Sequence, residues 1–188
     1  MQFSHAIVFC SPTVLTGPTS LKAEQPVALV NADRNNLLRA ADINITFARP
    51  NQNVTVGINI LGVATAFIDF IQSSPSARVG IYDGAPKFPS PATPPLDGPA
   101  PIRMDTLQFL PNDEFVSLRV FTDLGVLEVY WMDGRVAITS PFKVSSSNGN
   151  GAEIFASTNG IQLVKAMAWE MGSIWVSPQE VLATPRID

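Results

Sequence analysis

Residues 118–139 read LRVFTDLGVLEVYWMDGRVAIT, a stretch that sets Asp123, Glu128 and Asp133 beside the aromatic pair Tyr130 and Trp131. Carboxylates of this kind can do acid–base work. Glycoside hydrolysis needs two of them flanking a cleft, one as general acid and the other as base or nucleophile. Glu128 sits in an otherwise apolar strand, where burial would raise its pKa toward the range of a catalytic acid. The competing reading is a charge on a solvated face, or one paired across the sheet with Arg119 or Arg135. Glu128 and Asp123 lie in or next to strands with no evident pocket, so the solvated reading is the expectation.

Asp133 is explained by the chain's need to turn. Asp133-Gly134 is a strong two-residue hairpin signal, because a type I′ turn requires positive φ at both central residues. That turn would pair Met132 with Arg135, Trp131 with Val136 and Glu128 with Thr139. Strand alternation then sends Val126, Glu128 and Tyr130 to one side, and Leu127, Val129 and Trp131 to the other.

The elements around this hairpin read as short strands. Sixteen prolines and twelve glycines punctuate the chain, and amphipathic helical periodicity is nearly absent. Strands are expected at 44–48, 53–61, 64–71, 78–82, 102–109, 116–122, 126–131, 135–139, 153–157, 161–169 and 174–176, the pattern of an all-β sandwich. In NVTVGINIL, Val54, Val56, Ile58 and Ile60 share one face, while Asn53, Thr55, Gly57 and Asn59 share the other. This predicts one face in the core and one in water. Residues 83–101 form a long Pro-rich loop that cannot be a central strand, and SSSNGNG at 145–151 reads as a turn. The first 42 residues are expected as an extension or edge segment packed on the sandwich, with a short helical turn near LVNADRNNLLRAADI, and 43–188 as the sandwich domain.

Composition excludes several functions. The 188 residues carry 12 basic against 16 acidic side chains, a net charge of −4. No Lys/Arg cluster supplies the electrostatic footprint of nucleic-acid binding. No stretch approaches the roughly 20 apolar residues of a membrane span, and MQFSHAIVFC lacks the basic start and long apolar core of a signal peptide. A soluble chain is expected, with no compartment assigned, either secreted or cytoplasmic. Cys10 is the only cysteine and His5 the only histidine, so an intrachain disulfide, a Cys-based zinc site and a conventional His triad are all disfavoured. No phosphate-binding loop, dinucleotide fingerprint or nucleophile elbow is present, and no spacing predicts calcium. Neither a metal nor a cofactor is expected.

Only 15% of residues are charged, so the polar surface leans on Ser, Thr, Asn and Gln. Such a surface suits neutral sugars, held by an aromatic face stacked on the sugar's C–H patch and by polar groups bonding its hydroxyls. Tyr130, Trp131, Trp169 and Trp175 are the candidate platforms, each set against ordinary packing in the core. Asn44-Ile45-Thr46 and Asn53-Val54-Thr55 match the N-glycosylation acceptor pattern.

SLRVFTDLGVLEVYWMDGRVAITS, AEIFAS and VKAMAWEMGSIW together resemble the C-terminal β-sandwich module of glycoside hydrolase family 32, the invertase and fructan-hydrolase family. INITFARP and VGINILG are compatible with it, and the resemblance extends from about residue 43 to 176. It implies two antiparallel sheets packed as a lectin-like, concanavalin-type jelly roll. It also implies that catalysis belongs elsewhere, in an N-terminal propeller whose nucleophile motif runs Trp-Met-Asn-Asp-Pro. Trp131-Met132-Asp133 lacks the Asn and Pro, and no catalytic residue carries over.

The chain is therefore expected to be non-catalytic. The leading expectation is a lectin-like module binding neutral carbohydrate, of glycan or fructan type. The alternatives are a structural or self-association module, with a homo-oligomer as one outcome and the vacant propeller-facing side as its motive, or the C-terminal part of a longer fructan-active hydrolase.

Overall fold

The computed structural model describes residues 13–30, 38–84, 103–123, 125–141, 143 and 151–171. Their alternating and β-branched segments form twelve strands: β1 (Thr13–Leu21), β2 (Val27–Val30), β3 (Ala40–Ala48), β4 (Val54–Ile60), β5 (Ala64–Phe70), β6 (Ser76–Asp83), β7 (Arg103–Gln108), β8 (Phe115–Asp123), β9 (Val126–Trp131), β10 (Val136–Pro141), β11 (Ala152–Ala156) and β12 (Ile161–Glu170). They assemble into two six-stranded sheets. The first has the order β1-β12-β3-β8-β9-β10, and the second β2-β11-β4-β5-β6-β7. Every pairing is antiparallel. This is the β-sandwich expected from the alternation.

The core lies between the sheets. Ile43, Ile45 and Phe47 from β3, Val120 from β8 and Leu127, Val129 and Trp131 from β9 meet Val56, Ile58, Ile68 and Val79 from the second sheet. Phe47 and Phe70 join the layers edge to face at 6.0 Å between ring centroids. Residues 13–30 give an edge strand to each sheet. β1 continues β12 with a register shift between Thr16 and Thr19, beside Pro18, which hid it from the periodicity. β3 starts at Ala40, so the boundary expected between residues 42 and 43 falls inside a strand.

The outer face of the second sheet departs from the expectation of a strand half in water. Val54, Val56, Ile58 and Ile60 do face the core. On the other face, however, Thr55 is 3% and Asn59 4% exposed. Both find partners there. Thr55 Oγ1 donates to Asp69 Oδ1 at 2.6 Å, and Asn59 Nδ2 donates to Thr65 Oγ1 at 2.9 Å. Phe67, Tyr82 and Phe155 form a second buried apolar cluster on this face, with Phe67 stacked on Tyr82 at 4.3 Å. Glycine makes room for these rings. A Cβ at Gly57 would lie 2.2 Å from the Ala66 carbonyl oxygen and 2.9 Å from Phe155 Cζ, and one at Gly80 would lie 2.8 Å from the Phe67 ring. The sequence pattern separated the two faces correctly but could not show that both would be buried.

Candidate functional site

The β9–β10 hairpin forms in the expected register, Trp131 opposite Val136 and Glu128 opposite Thr139. Asp133 (φ 56°) and Gly134 (φ 93°) supply the two left-handed positions, and the Arg135 N–H donates to the Met132 carbonyl at 3.2 Å. Met132 is left-handed too, at φ 50°. The regular ladder therefore stops at Trp131 and Val136, one pair short of the expected Met132–Arg135. Asp133 is a turn residue whose carboxylate accepts a long bond from Ser117 Oγ at 3.4 Å.

Alternation along β9 places Leu127, Val129 and Trp131 in the core. Trp131 is 0% exposed, so its ring has no face to offer a sugar, and the expectation of a Trp131 platform is overturned. Two apolar residues at i−2 and i−4 on the same face had already committed that face to the interior. The indole N–H is buried without a hydrogen-bond partner. Asp83, expected to open the Pro-rich loop, ends β6; the loop beyond Gly84, the turn expected at 145–151 up to residue 150, the strand expected at 174–176, Trp175, His5 and Cys10 lie outside the described residues.

Tyr130 and Trp169 remain, and the registers bring them to one surface. Trp169 lies opposite Asp42, Asp42 opposite Phe121, and Phe121 opposite Glu128. The adjacent row runs Met167, Asn44, Arg119, Tyr130 and Ala137. Both rows stand on the outer face of the first sheet, because the residues between them, Ala168, Ile43, Val120 and Val129, are all buried. Trp169 and Phe121 are two strands apart, roughly 10 Å at ordinary strand spacing.

Polar and ring contacts tie Arg119, Asp42, Phe121, Tyr130 and Glu128 together. Arg119 grips Asp42 with two bonds, Nε to Oδ1 at 3.0 Å and Nη2 to Oδ2 at 2.7 Å. Its guanidinium carbon also lies 4.6 Å from the Phe121 ring centroid, a cation–π distance. Phe121 meets Tyr130 edge to face at 5.9 Å. The Tyr130 hydroxyl donates to Glu128 Oε2 at 3.3 Å. Burial, then the neighbouring Glu128 charge, push the Tyr130 hydroxyl pKa upward, so it stays protonated and able to donate near neutrality. Glu128 is a partly exposed charge on the outer face, and the alternative pairing with Arg119 or Arg135 does not form, because Asp42 and Asp113 take those two arginines.

The surface is thus a half-buried aromatic strip of Trp169, Phe121 and Tyr130, interleaved with a fixed Arg–Asp fork, a carboxylate and the amide of Asn44. Such a strip can stack an apolar sugar face and bond its hydroxyls. It is an open face rather than a cleft with two opposed carboxylates, which is the arrangement glycosidic hydrolysis requires. Among the described residues no group of three or more His, Cys, Asp or Glu could hold a metal ion. Asn44 stands within the strip, whereas Asn53 lies outside it and accepts the Gln72 N–H at 2.7 Å.

Arg119, Asp42 and Phe121 were not candidates from sequence. The i, i+2 alternation in LRVF places Arg119 and Phe121 on one face, but Asp42 reaches them only through the β3–β8 register, across 77 residues.

Comparison with known proteins agrees with this architecture. No curated protein matches the chain in sequence. The fold is similar to fructan 1-exohydrolase IIa from Cichorium intybus, solved in complex with 1-kestose, at TM-score 0.61 and 15% identity over 88% of this chain and 36% of that one. It is similar to exo-inulinase from Aspergillus awamori at TM-score 0.53 and 13% identity, over 89% and 30%. It is also similar to β-fructofuranosidase from Schwanniomyces occidentalis complexed with fructosyl-erythritol, at TM-score 0.52 and 16% identity, over 90% and 35%. The chain spans about a third of the length of these enzymes. The family model described as glycosyl hydrolases family 32 C terminal matches residues 19–170, and the chain belongs to that family.

Proposed function

We propose that this β-sandwich is a non-catalytic module that binds neutral carbohydrate of fructan type on the outer face of its first sheet. The observation that carries the proposal is the convergence of Trp169, Phe121 and Tyr130 around the Arg119–Asp42 fork on one exposed sheet face. Rigid aromatic planes give contact area at little entropic cost. A pre-formed guanidinium–carboxylate pair presents donors and acceptors without reorganising. The matched enzymes' names include fructan and inulin substrates, which supports the choice of sugar class. The test is affinity electrophoresis in gels containing inulin or levan. Migration should be retarded for the wild type and restored in Trp169→Ala and Tyr130→Ala. Unretarded wild-type protein at saturating polysaccharide would remove the reading.

The family match favours a second reading, in which the module serves as the C-terminal portion of a larger fructan-active hydrolase and packs against its catalytic domain. In that case the same face would contribute binding for a substrate processed elsewhere.

A further inference from the structure

β7 and β10 each end a sheet, and they flank an open cavity of about 880 Å³ along the seam between the layers. That size lies within the usual range of small-molecule sites, about 300–1,000 Å³. Arg103, Met104, Asp105, Val126, Ile138 and Ser140 are among the residues that line it. The strand registers decide which side chains face inward. Arg103 lies opposite Ile81, Asp105 opposite Val79 and Leu107 opposite Ala77. Ile81, Val79, Ala77 and Leu107 all belong to the core, so Arg103 and Asp105 stand on the inner side of the second sheet. Across the seam, alternation along β10 turns Ile138 and Ser140 inward.

The polar groups of this seam lack partners. Among the described residues Arg103 forms no ion pair, with Asp105 or with any other carboxylate. The Asp105 carboxylate accepts only the adjacent Thr106 N–H, at 2.6 Å. Ser140 is 2% exposed, and its hydroxyl has no hydrogen-bond partner. Inward charge on an edge strand discourages pairing with another chain, but one charge is enough for that. Two opposite charges held apart on one face also set a spacing. Residues two apart on a strand are separated by roughly 7 Å. An extended dipeptide spans about the same distance between its ammonium and its carboxylate, at about 3.3–3.6 Å per residue. A single amino acid holds those charges about half as far apart.

We infer that the seam between β7 and β10 is a binding site for a small zwitterion of the dipeptide class, with apolar side chains. The ligand's carboxylate pairs with Arg103 and its ammonium with Asp105. It therefore runs antiparallel to β7, the sense in which β6 already pairs with that strand. Ile138 gives its side chains an apolar wall, and Met104 and Val126, 53% and 42% exposed, form the rim. Its amide reaches the outer main-chain edge of β7 and the Ser140 hydroxyl, which gains the partner it lacks in the free chain. The site shares neither Trp169, Phe121 nor Tyr130 with the sugar face, so it stands whether or not that face binds sugar.

Calorimetric titration of the full chain with leucyl-leucine tests the site. Saturable binding of one dipeptide per chain is expected. Blocking either end of the probe, as N-acetyl-leucyl-leucine or as leucyl-leucine amide, should weaken binding about fivefold, the upper worth of an exposed ion pair. Free leucine should bind more weakly still. Two variants then assign the ends. Arg103→Gln should bind leucyl-leucine and its amide equally while keeping the penalty for acetylation. Asp105→Asn should lose the acetylation penalty and keep the amide one. Both positions are exposed, so thermal melts of the two variants should match the wild type. Ser140→Ala should weaken binding at unchanged or raised stability, because it removes a buried hydroxyl that has no partner in the free chain. An absence of saturable heat at millimolar dipeptide, blocked probes that bind as tightly as the free one, end penalties that persist in both variants, or a Ser140→Ala that binds like the wild type would each overturn the proposal.

Discussion

Arg119 and Asp42 stand on neighbouring strands of the first sheet and close a two-pronged bond, at 3.0 and 2.7 Å, on its solvent face. The pair is exposed on the arginine side, with Arg119 52% and Asp42 17% accessible. A surface ion pair of this kind adds little to folding, typically 0–1 kcal/mol. Its consequence is positional, since it fixes the guanidinium over Phe121 and presents a fixed edge to a ligand.

Replacing Arg119 separates these roles. Arg119→Lys keeps the charge but loses the planar fork, and Arg119→Ala loses both. Each should change unfolding free energy by no more than about 1 kcal/mol in urea melts. Each should weaken sugar affinity about tenfold by calorimetry, a loss of about 1.4 kcal/mol. Equal loss of stability and binding would show the pair to be structural.

Trp131 should behave in the opposite way. Its ring fills the core, so Trp131→Ala should cost about 3–5 kcal/mol of stability through lost packing and a residual cavity. Trp131→Phe leaves a smaller void and also removes the buried, unpartnered indole N–H, whose desolvation costs about 1–3 kcal/mol. It should therefore lose less than half as much. Thermal melts of the two variants check this.

Much of this was legible from residue order, and the limits have physical causes. Alternation in LEVYW separates core from surface for Trp131 and Tyr130, and Asp133-Gly134 fixes the hairpin register, because both signals are local. The aromatic strip depends on which strand lies beside which. The contact of β3 with β8, and so of Asp42 with Arg119, joins segments far apart in sequence. The segment that holds β1 and β2 reads only as an extension or edge segment without defined strands, because Pro18 falls inside β1 and Pro26 directly precedes β2, and edge strands tolerate proline where inner strands do not. Thr55 and Asn59 read as solvated because their buried partners, Asp69 and Thr65 on the neighbouring strand, leave no separate mark in sequence.

Gly57 tests the packing of the second sheet's outer face. Its Cβ position is already taken by the Ala66 carbonyl at 2.2 Å and the Phe155 ring at 2.9 Å. The first neighbour is backbone and cannot swing aside. Gly57→Ala should destabilise the protein by about 1–3 kcal/mol, the range of overpacked cores, and Phe155→Leu in the same chain should not restore it. A neutral Gly57→Ala in urea melts would show that the strands separate freely there.

Two carboxylates should give stability opposite pH slopes. Burial raises the Asp69 pKa, against the lowering pull of the Thr55 hydroxyl and of Arg78. The folded protein therefore holds that proton more tightly than the unfolded chain. Its contribution is fully present below the unfolded value of about 3.9 and is lost as pH rises through the folded pKa. Asp113 is held down to about 2, chiefly by the Arg135 hydrogen bond. Its contribution is present above about 3.9 and is lost as pH falls toward the folded value. In urea melts from pH 2 to 7, Asp69→Asn should remove the component that declines with rising pH. Asp113→Asn should flatten the acid limb.

The central claim is that sugar binds on the outer face of the first sheet, and tryptophan fluorescence during titration with a neutral fructo-oligosaccharide tests it most directly. Trp169 stands on that face and Trp131 in the core. The wild type and Trp131→Phe should both show a saturable change with the same midpoint, and Trp169→Phe should lose most of the signal. A saturable change that survives unaltered in Trp169→Phe, or no change in the wild type at millimolar sugar, would contradict it.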